Sequence, residues 1–111
     1  MAGEAMSQYL RGTLDVLVLR ALRGHERHGY GIAAHIEERA FGVLRIEDGA
    51  LYQALHRLEE NGWVESAWGH AESGKRARFY RLTADGRRRL ERDATAWTRF
   101  ARAVSAVLEP A

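Results

Sequence analysis

Residues 48–83 read DGALYQALHRLEENGWVESAWGHAESGKRARFYRLT, and their apolar period changes half-way along. Leu51, Ala54, Leu55 and Leu58 recur at i, i+3, i+4 and i+7, the spacing that gathers one face of a helix. Tyr52, Gln53, His56, Arg57, Glu59 and Glu60 fall on the other side. Asp48 is the expected N-cap, and Asn61-Gly62 stops the run. Beyond that glycine the pattern becomes that of strands, over 63–68 and 76–82, with the polar segment 69–74 as the hairpin loop. From Lys75 to Arg81 the hairpin carries Lys75, Arg76, Arg78 and Arg81 and no acidic residue. Such a cluster repels itself unless something negative relieves it.

Outward from this stretch, residues 13–23 place Leu14, Leu17, Val18, Ala21 and Leu22 on one stripe, and Gly24 is a natural stop. A second helix is expected over 29–40, burying Ile32, Ala33 and Ile36. Gly29 and Gly31 weaken its start and leave room for close packing. On the far side of the hairpin, Thr83 caps a helix reaching Leu108, roughly 38 Å long at ~1.5 Å per residue. The expected fold is therefore mainly α with a two-stranded β hairpin: a winged helix-turn-helix plus a long C-terminal helix. Residues 1–82 are assigned to the first unit and 83–111 to the second.

The bulk numbers suit one modest domain. Of 111 residues, 46% are hydrophobic and 29% charged, and there is no cysteine, which excludes disulfides and thiolate zinc sites. No apolar run nears the roughly 20 residues that span a bilayer. The first residues lack the basic-then-apolar order of a signal peptide, so a cytoplasmic protein is expected. The net charge of +2 is unevenly spread: from residue 70 onward ten Arg and Lys face five Asp and Glu, leaving −3 for the first 69 residues. A basic section in a near-neutral chain points to a polyanion on one face. Sixteen of the 17 basic residues are Arg, a bias that GC-rich coding also favours.

In a winged helix-turn-helix the third helix enters the DNA major groove. The hairpin, the wing, lies along the backbone or an adjacent minor groove. Lys75, Arg76 and Arg78, with Arg81 at the margin, are then expected to meet phosphates, largely through counterion release. Small Gly49 and Ala50 permit close approach, and Tyr52, Gln53 and His56 follow at reaching positions. Gln suits adenine; Arg57 suits guanine or a phosphate. Arg11, ahead of the first helix, is placed to touch a flanking phosphate. Two plainer readings stand beside this one. A basic hairpin is often only a solvated surface. A winged helix can also serve protein–protein contact without specific DNA binding, although the single sign of the wing charge favours DNA.

Four stretches carry a family resemblance: LRGTLDVLVLRAL (10–22), HGYGIAAHIEE (28–38), GALYQALHRLEENGWVE (49–65) and GKRARFYRLTADGRRRL (74–90). In this order and spacing they make the chain resemble the PadR family of bacterial transcriptional regulators, in its compact form with a single C-terminal helix. The resemblance implies a homodimeric winged-helix DNA-binding protein, usually a repressor, with phenolic or drug-like aromatic effectors in some members. It puts Tyr52 at the tyrosine of the recognition helix, and Lys75, Arg76 and Arg78 in the basic wing. Ala50 stands where the family commonly has Ser, and Gln53 where it has Pro, so an operator sequence does not carry over. Trp63 replaces a more usual aliphatic residue and is read as core or interface packing.

In the last helix Leu90, Ala94, Trp97, Ala101, Val104 and Leu108 recur at alternating spacings of four and three, an a/d seam that Phe100 and Val107 widen. A second copy is the natural cover. A homodimer would set two recognition helices about one DNA turn, ~34 Å, apart and select a palindromic operator. Trp97 is read first as a dimer-core aromatic. Its second reading, shared with Phe100, is a stacking surface for a planar aromatic small molecule, with Ala94 and Ala101 leaving room. No catalytic constellation is apparent. His25-Glu26-Arg27-His28 lacks the zincin spacing, and neither a phosphate loop nor a nucleophile elbow occurs. The expectation is a binding protein without enzyme activity, cofactor or metal, even though His25, His28 and His35 could gather near one loop.

Overall fold

The computed structural model describes Leu10 and residues 12–110. Its elements run α1 (Leu14–Ala21), β1 (Arg27–His28), α2 (Gly29–Arg39), α3 (Asp48–Glu60), β2 (Val64–His70), β3 (Arg76–Leu82) and α4 (Ala84–Leu108). The core draws on every helix: Val18 and Leu19 from α1, Ile32 and Ile36 from α2, Leu51, Leu55 and Leu58 from α3, and Leu90 from α4. Val64, Tyr80 and Leu82 close it from the hairpin base. Each large side chain buried this way contributes about 1.5–3 kcal/mol. Leu19, outside the expected stripe of α1, is buried as well, while Leu17 is only partly covered.

The hairpin gains a third strand. β1 pairs antiparallel with β3, Arg27 opposite Tyr80 and His28 opposite Phe79, giving the order β1-β3-β2. Two residues show no alternation, which is why β1 has no signature in the sequence. β2 continues through His70, so the tip is residues 71–75, shorter than the expected loop.

The helix-turn-helix corner is held by a side chain. Its turn uses two consecutive left-handed residues, Phe41 (φ 56°) and Gly42 (φ 74°). The Ile46 N–H then donates to Glu37 Oε2 at 2.8 Å, fixing the approach to α3. The N-cap position of α3 is Glu47, without a side-chain cap bond, and Asp48 is the first helical residue. The expected Asp48 cap is thus displaced by one residue. Asp48 instead places its charge in the first turn, where the helix dipole favours it.

At the other end Thr83 caps α4 as expected, its Oγ1 accepting from Gly86 N–H at 3.0 Å. Thr83 also donates from N–H to Trp63 O at 3.1 Å and from Oγ1 to Gly62 O at 2.6 Å. Gly86 lies directly on the Trp63 carbonyl, and the Arg89 guanidinium stands 4.4 Å from the Trp63 ring centroid. This lock sets the direction in which α4 leaves the wing.

Candidate nucleic-acid interface

The amphipathic spacing of α3 buries Leu51, Ala54, Leu55 and Leu58 and so turns Tyr52, Gln53 and His56 outward. Space around Gly49 is open, with nothing within 4 Å of a Cβ built there. The Tyr52 ring reaches back over the start of α2. A Cβ on Gly29 would lie 2.7 Å from the Tyr52 hydroxyl, so the glycine gives the tyrosine its seat. Arg57 is held from behind: its Nη2 meets Asp15 Oδ1 at 2.7 Å, and this hydrogen bond raises its pKa above the ordinary value. It ties α3 to α1.

On the wing the antiparallel register puts Trp68 opposite Arg78 and His70 opposite Arg76 on one face. The opening charge cluster is partly relieved from within. Arg78 Nε donates to Ser66 Oγ at 2.7 Å and its Nη2 to Glu59 Oε2 at 3.2 Å, while Ser66 Oγ donates to Glu59 at 2.7 Å. Arg81 Nε pairs with Glu65 Oε1 at 2.7 Å. Lys75 and Arg76 make no ion pair among the described residues; both are exposed. Arg76 lays its guanidinium 4.4 Å from the centroid of the Trp68 ring. Glu59 therefore lies against the wing, where the helical pattern alone put it on an outward face.

Between the wing and the start of α2 runs an open groove of about 1110 Å³, lined in part by His28, Tyr30, Tyr52, Trp68, Arg76 and Phe79. His28 anchors its edge twice. Its Nδ1 accepts from Gly31 N–H at 3.1 Å, capping α2, and its ring meets Phe79 edge-on with centroids 5.3 Å apart. Tyr52, Gln53, His56, Lys75 and Arg76 are all solvent-exposed. Arg78 is also more than a third exposed but is engaged by Glu59 and Ser66. Arg11 lies outside the described residues. Three positioning residues had no assigned partner in the sequence: Gly29, Glu37 and Trp68. Gly29 was legible only as room for close packing, and the partners of Glu37 and Trp68 depend on tertiary register.

Along α4 the seam divides. Leu90 is 3% exposed and belongs to the chain's own core, whereas Trp97 is 46% exposed. Phe100, Val104, Val107 and Leu108 are exposed too, and Ala101 is half-buried. Trp97 stands between two open depressions. One, of about 350 Å³, is bordered by Val16, Leu17, Leu44, Leu90 and Ala94. The other, of about 390 Å³, is bordered by Val16, Leu58, Trp63 and Phe100. Among the described residues no group of three or more His, Asp or Glu is arranged to hold a metal ion. No described helix is long and apolar enough to cross a membrane.

The model of the transcriptional regulator PadR-like family matches residues 18–92, more than half of the chain. The chain belongs to the PadR-like family. Among its relatives, the transcriptional regulator Rv3488 of Mycobacterium tuberculosis is 30% identical over 99 residues, covering 89% of each chain. A PadR family transcriptional regulator from Eggerthella lenta has a similar structure, with a TM-score of 0.79 at 30% identity over 97% of this chain and 92% of that one. A transcriptional regulator from Clostridium thermocellum superposes with a TM-score of 0.82 at 27% identity, covering 92% and 99% of the two chains. The α1–α2–α3 trio with its three-stranded sheet is thus a PadR-like winged helix, and the long α4 follows it.

Proposed function

We propose that this PadR-like protein is a sequence-specific DNA-binding transcriptional regulator that works as a homodimeric repressor by binding rather than catalysis. One observation carries the reading: exposed Tyr52 of α3 lines one groove with Lys75 and Arg76 of the wing, and Gln53 and His56 are exposed next to Tyr52 on the same helix, polar groups for base edges and cations for phosphates. Tyr52, Gln53 and His56 serve the major groove; Lys75 and Arg76 serve the backbone. Arg78 reaches a phosphate only by sharing or leaving Glu59. Arg11 is assigned a flanking phosphate. Residues 1–82 carry DNA binding, and 83–111 carry dimerisation.

The homodimer rests on the exposed apolar run Trp97, Phe100, Val104, Val107 and Leu108, a contiguous patch of the kind that marks an interface. Two-fold symmetry then implies a palindromic operator. Trp97 and Phe100, next to the two depressions, are assigned to a planar aromatic effector that releases the DNA. Fluorescence anisotropy with duplex from upstream of the protein's own gene, beside a scrambled duplex, tests the reading. Preference for the native segment supports it. No binding of either duplex even at low salt would replace it with a winged helix for protein contact. Sedimentation equilibrium of the wild type and Phe100→Ser tests the dimer, which the substitution should weaken.

A further inference from the structure

Two of the wing's four cations are compensated by carboxylates, Arg78 by Glu59 and Arg81 by Glu65. Arg76 has no such partner among the described residues, yet its guanidinium rests on an aromatic face, 4.4 Å from the Trp68 centroid. The pairing is diagonal across the hairpin: Arg76 is opposite His70, and Trp68 is opposite Arg78. All four share one face, the one that continues down to Ser66, whose hydroxyl donates to Glu59 of α3. Trp68 contributes nothing to the core at this position; it is 58% exposed and lines the groove.

We propose that Trp68 is a positioning residue for DNA binding, holding the Arg76 guanidinium ready for a backbone phosphate. This rests on the DNA-binding reading above. An arginine on a two-residue-wide ribbon has many rotamers, and ordering them opposes binding. Stacking on the indole restricts the side chain before DNA arrives while leaving the charge uncompensated. The outward guanidinium edge keeps its N–H donors available, because the ring meets the planar face. A carboxylate partner would restrict the side chain equally well but would cancel the charge, as Glu59 does for Arg78. The wing thus contains two kinds of arginine: Arg78, which ties the hairpin to α3, and Arg76, which is held by a neutral surface for use.

The test is a double-mutant cycle on anisotropy-monitored binding to a random-sequence duplex of about 30 base pairs, room for two half-sites one turn apart. The variants are Trp68→Ala, Trp68→Tyr, Arg76→Ala and the Trp68→Ala/Arg76→Ala pair, at several salt concentrations. Trp68→Ala should weaken binding about two- to fivefold, the worth of an exposed cation–π contact, and Trp68→Tyr should restore most of it. In the Arg76→Ala background Trp68→Ala should cost nothing more. Arg76→Ala should lower the salt slope by about 0.9 for each engaged wing, whereas Trp68→Ala should keep the slope, because no charge is lost. A merely structural role would lower the slope in Trp68→Ala through both Lys75 and Arg76. Equal losses from Trp68→Ala in both backgrounds would overturn the coupling while leaving DNA binding intact. Wild-type protein that binds no duplex at low salt would overturn the DNA reading and this proposal together.

Discussion

Gly86→Ala tests the lock between the wing and α4. A Cβ at this position would stand 1.9 Å from the Trp63 carbonyl oxygen and 2.9 Å from its carbon. Carbon–oxygen contacts between packed elements settle near 3.3–3.6 Å, so the start of α4 must retreat by roughly 1.4 Å. The obstacle is backbone, which cannot swing aside. The same oxygen accepts from Thr83 N–H at 3.1 Å, and Thr83 Oγ1 is bonded to Gly62 O at 2.6 Å, so the retreat strains both. Overpacking of this kind costs about 1–3 kcal/mol. Loosening the Thr83 cap adds about 1 kcal/mol. The better helix propensity of alanine returns about 1 kcal/mol. The net loss of about 1–3 kcal/mol is a substantial part of a domain stability of about 5–15 kcal/mol. At ~4 °C per kcal/mol for a chain of this size, Tm should fall by about 4–12 °C. The assay is thermal unfolding by far-UV circular dichroism at fixed protein concentration, with Gly49→Ala as control. At Gly49 a Cβ meets nothing within 4 Å, so alanine there should stabilise the helix by up to about 1 kcal/mol. A Gly86→Ala protein as stable as wild type would refute the lock.

Gly29→Ala should hardly change Tm, because the atom in its way is the mobile end of Tyr52. It should instead alter DNA sequence preference, measured by selection from a random duplex pool; an unchanged selected motif would count against Tyr52 as a groove contact. Glu59→Gln removes the carboxylate partner of Arg78 and should tighten non-specific binding and steepen its salt dependence by up to about 0.9 for each wing. Weaker binding would mean that the Glu59–Ser66–Arg78 network matters chiefly by shaping the wing. His35 titrates below its ordinary 6.5 because of burial and then the Arg27, Arg39 and Arg20 charges. The folded state therefore holds this proton less well than the unfolded chain, and its contribution is complete above about pH 6.5 and lost as pH falls through the lowered pKa. His35→Gln should flatten the decline of Tm on acidification below that point; an identical decline would assign the acid sensitivity elsewhere.

The helix faces were legible because burial repeats with the helical period: Leu51, Ala54, Leu55 and Leu58 are all buried, as their spacing requires. Thr83 was legible as a cap because its hydroxyl acts within its own turn. The missing pieces are those that depend on partners distant in sequence. Glu37 reads as an ordinary helix-face acid until the turn brings the Ile46 N–H to it. The charge of the hairpin is plain from its composition, but the residues that compensate it sit on α3 and β2, and only strand register reveals which arginines they engage. The same register brings Arg76 to Trp68. Leu90 fits the heptad seam by spacing and nevertheless serves the core, since the first turns of α4 pack on the body before the exposed apolar run begins.

On the proposed reading, the exposed face of α3 and the wing binds DNA, with Lys75 and Arg76 meeting the backbone. Its most direct test is the salt dependence of duplex binding for wild type and for Lys75→Gln/Arg76→Gln. Two lost phosphate contacts should lower the slope of log K against log salt by about two units for each protomer on the duplex. Wild-type affinity that falls steeply with salt, with that reduction in the double variant, is the predicted result. An identical slope for the two proteins would contradict the account.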